Sequence, residues 1–190
     1  MKLVLASASP RRLDLLARIG ITPDEVDPAD IDESVAKGEL PRAHALRLAE
    51  EKAAAVATRH RGALVLAADT VVAVGRRILP KVEDEATLRR CMALLSGRRH
   101  RVMTGVALAL PGGDVRSRLV ETMIAMKRLS AEEIEFYAAH GEWRGKAGGY
   151  ALQGYGEVYV RHIAGSYSNV VGLPLAETRV MLIGAGYPLG

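Results

Sequence analysis

The segment ALVLAADTVVAV, residues 63–74, is apolar at every position except Asp69 and Thr70. Its length and β-branched content predict a strand, and an unbroken apolar run predicts one covered on both faces. That constrains the rest of the chain, because other elements must supply two covering layers.

The flanking sequence offers helices for them. Met1 to Ala6 reads as a strand that runs into a helix, with Ser9 as N-cap, Pro10 at the first helical position and Gly20 as the stop. Leu13, Leu16 and Ile19, with Leu15 beside them, give that helix one apolar stripe. Residues 22–40 are acidic, contain Pro23 and Pro28, and read as a loop or irregular strand. A second helix is expected from Pro41 to about Arg59, with Leu46, Ala49, Ala53 and Val56 on one face. Lys52 falls at its shoulder, where a lysine taken alone is expected to snorkel to solvent. Arg76-Arg77 lies near an expected turn, Pro80-Lys81 breaks the pattern, and a third helix spans 83–95. The basic run Arg98 to Arg101 reads as a solvated turn. Two long strands follow, joined at PGGD as a hairpin. SAEE from Ser130 offers a capping box with Glu133, a strand is expected near 157–163, and a last helix from about Asn169 to Ile183. Single strands separated by helices, then a hairpin, give an α/β architecture with a mixed sheet between helical layers, in one domain over residues 1–190.

Composition removes several classes. At 49% hydrophobic over 190 residues the chain can bury a substantial core. No apolar run reaches the roughly 18 residues of a membrane span, and residues 1–20 lack the order of a signal peptide, so a cytoplasmic location is expected. Its single cysteine, Cys91, fits that reading. The net charge of +4 would suit a polyanion, yet aromatic residues make up only 4% of the chain, which argues against nucleic acid as partner. Five histidines without HxxxH spacing or a cysteine companion argue against zinc, and neither GxSxG nor GxxxxGK[ST] is present.

Chemistry concentrates at a few residues. Ser7 and Ser9, the free N–H groups of a helix start, Arg11 and Arg12 converge within six positions. They form either an oxyanion site, for which guanidinium forks are suited, or an ordinary cap followed by two solvated arginines. Asp69 is the sharper anomaly. A carboxylate in an apolar strand is costly unless it is paired or binds a metal, or unless it sits at the strand's end capping a loop. Glu33, in DIDES, is either a second metal-facing carboxylate or a solvated loop acid. If Lys52 and Lys81 reach the same cleft they join Arg11 and Arg12, and two acids with four bases describe a Mg²⁺-polyphosphate site. The glycines around Tyr150 and Gln153 allow close approach to a flat ligand, or simply form a loop.

Six blocks resemble the Maf nucleoside triphosphate pyrophosphatases: LASASPRR (5–12), RLAEEKA (47–53), AADTVV (67–72), LLSGRRHRVMTGVAL (94–108), GKAGGYALQGYG (145–156) and GSYSNVVGLPLAET (165–178). They stand in family order across nearly the whole chain. The family usually has Lys-Pro where this chain has Pro80-Lys81. The resemblance implies hydrolysis of a nucleoside triphosphate between its α and β phosphates with a divalent metal (Mg²⁺, Mn²⁺ or Co²⁺). It implies that Ser7, Arg11, Arg12, Lys52 and Lys81 hold the triphosphate, that Glu33 and Asp69 engage the metal, and that Asp69 is the proton acceptor. Arg11, Thr70 and Gln153 match the positions that mark the subgroup acting on dTTP and UTP. The implied fold resembles that of the inosine triphosphate pyrophosphatases, an elongated mixed sheet with two lobes and a deep cleft, commonly in homodimers. The implied cellular roles are nucleotide-pool cleaning and cell-division arrest. Two other readings stand beside it: a nucleotidyltransferase, since LASASPRR resembles the LAAGxGxR loop, and a non-enzymatic nucleotide- or nucleic-acid-binding regulator of division.

Overall fold

The computed structural model describes residues 1–188. The chain opens with β1 (Leu3–Leu5), α1 (Pro10–Arg18), β2 (Glu25–Val26), α2 (Pro41–Ala57) and the long β3 (Leu64–Val74). Both helical crossovers return parallel, so β1 lies between β2 and β3. Next, β4 (Arg77–Leu79) folds back antiparallel on β3. After β5 (Lys81–Val82) and α3 (Glu85–Leu95), β6 (Arg99–Ala109) and β7 (Val115–Met126) form a long hairpin. The chain continues through α4 (Ala131–His140), β8 (Lys146–Ala147), a 3-10 helix (Tyr155–Tyr159), β9 (Val160–Ala164), α5 (Tyr167–Val171) and α6 (Leu175–Gly184). The main sheet runs β2-β1-β3-β6-β7-β9 with β4 also on β3, while β5 and β8 pair as a separate ribbon. Among the described residues no helix is long and apolar enough to cross a membrane.

The period-2 alternation of β3 sorts its side chains between two layers. Val65 and Ala67 pack with Ala49, Ala53 and Val56 of α2, and Val71 and Ala73 pack with Ala45 of the same helix. On the opposite face Leu64, Leu66 and Ala68 join Leu15, Leu16, Met181 and Leu182, whereas Val72 joins Leu88, Met92, Tyr137 and Trp143. One face of the strand therefore carries two separate cores, and Thr70 falls between them. β3 and β6, each of 11 residues, span both cores, a length of roughly 35 Å. This is the elongated, two-lobed mixed sheet that the resemblance implies.

α2 can lie on this sheet because of Gly105. A Cβ there would sit 2.3 Å from the Ala45 carbonyl oxygen and 2.9 Å from the Leu46 Cα. The strand and helix backbones are in direct contact, and Gly105 stands opposite Asp69 in the β3–β6 register.

Local signals held where they depend on neighbours in sequence. Ser130 and Glu133 form the capping box, worth about 1 kcal/mol. Arg76-Arg77 does lie at a turn, formed by Gly75 and Arg76, and Arg77 opens β4 directly after it. Other expectations are corrected. Residues 99–101 begin β6, and His100 is 2% exposed, so RRHR is not a solvated turn. The expected last helix is two, α5 and α6, because Pro174 disfavours helical geometry at Leu173. The strand expected near 157–163 is Val160–Ala164, entered through the 3-10 helix. Gly148 and Gly149 pack closely against the core. A Cβ at either would meet Val72, Val82 or Leu88 at 2.8–2.9 Å, so these glycines seat the 145–149 loop on the core.

Candidate active site

β3 has two different partners along one edge. Leu3–Leu5 of β1 pair with Leu64–Leu66, and Ala6 N–H still donates to the Leu66 carbonyl at 2.8 Å. β4 pairs only with Val72–Val74. The cleft, about 430 Å³, opens along the interval between them, where Asp69 and Thr70 lie. General reasoning about α/β sheets places ligands beyond strand ends. Here the end of β1 does border the cleft, but Asp69 sits in the middle of β3 and not at its end. Its burial (6% exposed) follows from that place, and so does its position on the wall of the cleft.

On the α2 face, Lys52 is 7% exposed and does not snorkel. Its Nζ lies 2.6 Å from Asp69 Oδ1 and 2.6 Å from Glu33 Oε1. Lys81 Nζ lies 2.6 Å from the other Glu33 oxygen, so the Pro80-Lys81 order does not prevent it from reaching the site. Two acids and two lysines thus alternate in one chain of contacts. Burial pushes the Glu33 carboxyl up, but hydrogen bonds from Lys52 and Lys81 outweigh it and hold it at about 2. Glu33 is therefore a carboxylate throughout the neutral range.

On the opposite face, α1 delivers Arg12. Its guanidinium donates from Nε to the Gly172 carbonyl (2.8 Å), from Nη1 to Ser7 Oγ (2.8 Å) and from Nη2 to Thr70 Oγ1 (3.4 Å). Thr104 Oγ1 donates to the Asn169 carbonyl at 3.0 Å and lies 2.9 Å from Thr70 Oγ1, which also stands 3.5 Å from the Gly172 carbonyl. Hydrogen bonds thus link Arg12 through Thr70 and Thr104 to α5. Burial lowers the pKa of Arg12, while Asp69 and Glu33 oppose that shift. These carboxylates and the three oxygens offset the repulsion between Arg12 and the positive end of α1. Ser9 holds the N-cap position without a side-chain cap, and its N–H donates to Ser7 Oγ at 3.2 Å instead. With both lone pairs of Ser7 Oγ engaged, its own proton is left to donate into the cleft.

Arg11 is half-buried and donates no hydrogen bond among the described residues, and burial lowers its pKa. Gln153 is exposed at the cleft's rim. All nine residues singled out in the sequence line this one cleft. Two further cations line it that sequence reasoning missed, Arg144 and Lys146. Lys146 donates to the Glu142 carbonyl, and burial and the charge of Arg11 lower its pKa. β8 brings it there, through the Val82–Lys146 pairing with β5. The only signal for it was its place inside the glycine-rich block.

Six cationic side chains around two carboxylates, on an α/β sheet with apolar Val102, Leu152 and Val171 along the same walls, define a protein that handles phosphorylated ligands carrying an apolar part, as nucleotides do. The chain belongs to the Maf family, whose model, described as Maf-like protein, matches residues 2–185. It is 65% identical over 185 residues to a dTTP/UTP pyrophosphatase of Paramagnetospirillum magneticum, covering 97% of each chain. To a dTTP/UTP pyrophosphatase of Caulobacter vibrioides it is 63% identical, covering 97% of this chain and 96% of that one. A HAM1 protein from Coxiella burnetii shares the fold, with a TM-score of 0.52 at 14% identity over 97% of this chain and 99% of that one.

Proposed function

We propose that the chain hydrolyses the α–β phosphoanhydride of dTTP and UTP, releasing nucleoside monophosphate and pyrophosphate. The observation that carries this is the alternation Lys81–Glu33–Lys52–Asp69 beside Arg12 in one cleft. Charges of both signs stand there within contact distance, each able to exchange its present partner for a phosphate oxygen or a cation. Two carboxylates, with no group of three or more acidic, histidine or cysteine ligands among the described residues, suit a hard divalent cation completed by phosphate oxygens and water. Glu33 and Asp69 would hold it. When bound it would neutralise charge developing on the phosphates.

Arg11, Arg12, Lys52, Lys81 and the Ser7 hydroxyl hold the triphosphate, and Asp69 accepts a proton from the attacking water. The water oxygen bonds to the α phosphorus, the bridging bond to the β phosphate breaks, and pyrophosphate departs. Positioning and electrostatic stabilisation supply most of the rate. Gln153 at the rim reads the pyrimidine edge with Arg11. Thr70, whose hydroxyl is engaged with Arg12 and Thr104, serves the same selection by orienting Arg12. The single-domain organisation, cytoplasmic location and homodimer expected from the sequence belong to this proposal, as do the roles in pool cleaning and division arrest.

Asp69→Asn tests it. Pyrophosphate release from dTTP is expected to fall to less than a hundredth of the unsubstituted rate, with nucleotide still bound. More than about a tenth of normal kcat would refute the proton-acceptor role.

A further inference from the structure

Glu33 sits on a segment with little apolar surface to anchor it, since residues 30–39 are mostly exposed. Charged clamps on α2 and just beyond it hold the segment. At the C-terminal end, Arg59 donates from Nε and Nη2 to the Asp27 carboxylate, both at 2.9 Å, and from Nη2 to the Pro28 carbonyl at 3.3 Å. His60 Nε2 lies 2.7 Å from the same carboxylate. Near the N-terminal end, Arg47 donates from Nε to Glu39 Oε1 at 2.6 Å and from Nη2 to Glu39 Oε2 at 2.9 Å. His44 Nδ1 and the Ala36 N–H also contact that carboxylate, at 2.8 and 3.0 Å.

Residues 27–39 thus run back along α2 as a strap, tied at both ends, with Glu33 over Lys52 in mid-helix. One contact bears on Glu33 itself. Arg47 Nη2 also donates, at 3.0 Å, to the carbonyl of Ser34, the residue next to Glu33. We propose that Arg47 is a positioning residue for Glu33, setting metal affinity through the strap and not the chemical step. The inference rests on the reading that Glu33 serves the metal. Arg47 suits the task because its planar fork spans the Glu39 carboxylate and the Ser34 carbonyl together, which an ammonium cannot match.

The test compares Arg47→Ala, Arg47→Lys, Glu33→Gln and the double variant Arg47→Ala/Glu33→Gln. Mn²⁺ affinity is read by electron paramagnetic resonance with the non-hydrolysable α,β-methylene analogue of dTTP bound, and hydrogen exchange is followed at amides 30–38. Arg47→Ala is expected to weaken Mn²⁺ binding about tenfold, to change kcat at saturating Mn²⁺ less than about threefold, and to speed exchange in the strap alone. Arg47→Lys should recover part of the affinity, and the double variant should bind no more weakly than Glu33→Gln. Unchanged Mn²⁺ affinity in Arg47→Ala while Glu33→Gln loses it, or additive losses in the double variant, would overturn the proposal. Normal affinity in Glu33→Gln would overturn the metal role of Glu33. Unchanged exchange at 30–38 in Arg47→Ala would separately overturn the clamp.

Discussion

Replacing Gly105 by alanine tests whether the approach of α2 to β6 sets the catalytic geometry. The added Cβ would lie 2.3 Å from the Ala45 carbonyl oxygen, 2.7 Å from its carbon and 2.9 Å from the Leu46 Cα. All three are backbone atoms, so no rotamer change relieves the overlap. Carbon–oxygen contacts settle near 3.3 Å, and the helix must therefore retreat by roughly 1 Å. Lys52 lies two turns further along the same helix and moves with it. Its 2.6 Å contact with Asp69 Oδ1 would lengthen to about 3.6 Å, beyond hydrogen-bond geometry. Overpacking of this kind costs about 1–3 kcal/mol, and a displacement near 1 Å in a catalytic group can lower the rate about 100-fold. Urea unfolding should show the first, and kcat/KM for pyrophosphate release from dTTP the second. Gly184→Ala is the control, since its nearest neighbour would be 3.9 Å away, and its stability should change by less than about 1 kcal/mol. If Gly105→Ala kept stability within about 0.5 kcal/mol and kcat/KM within about threefold, the steric reasoning would be refuted.

Two further expectations concern Arg12 and His100. Arg12→Lys leaves a charge but cannot satisfy the Gly172, Ser7 and Thr70 oxygens together; KM for dTTP should rise about 10- to 100-fold, and an unchanged KM would remove Arg12 from the phosphate site. His100 is 2% exposed, and burial lowers its pKa to about 4. Between that value and the ordinary 6.5 the unfolded chain binds the extra proton, so its contribution to stability is complete at high pH and lost as pH falls from about 6.5 towards 4. Between pH 8 and 5.5 urea titrations should show a loss of about 1.4 kcal/mol from this residue. His100→Gln should remove that slope, and a slope unchanged in the variant would show that another group causes it.

Much of the fold was legible because its signals are local. A serine with a glutamate three positions on, a proline at a helix start and an apolar run of strand length each specify structure through neighbours in the chain. Asp69 was legible for a related reason, since a charge inside such a run demands a partner. The identity of that partner was not. Lys52 reads the same whether its ammonium reaches water or a carboxylate, and the choice depends on Gly105, about fifty residues away, letting α2 descend on the sheet. Glu33 reads as a solvated loop acid because its segment has the same composition strapped or free. Arg47 on Glu39 and Arg59 on Asp27 decide the matter. The sequence by itself determined which segments are strands and helices and which residue types could carry the chemistry. Only the tertiary structure decided that Glu33, Lys52, Asp69 and Lys81 meet, that Thr70 faces away from Asp69 toward Arg12, and that Lys146 lines the same cleft. Propensities act within a turn or two of backbone, whereas contacts between charges tens of residues apart form only after long loops close around a packed core.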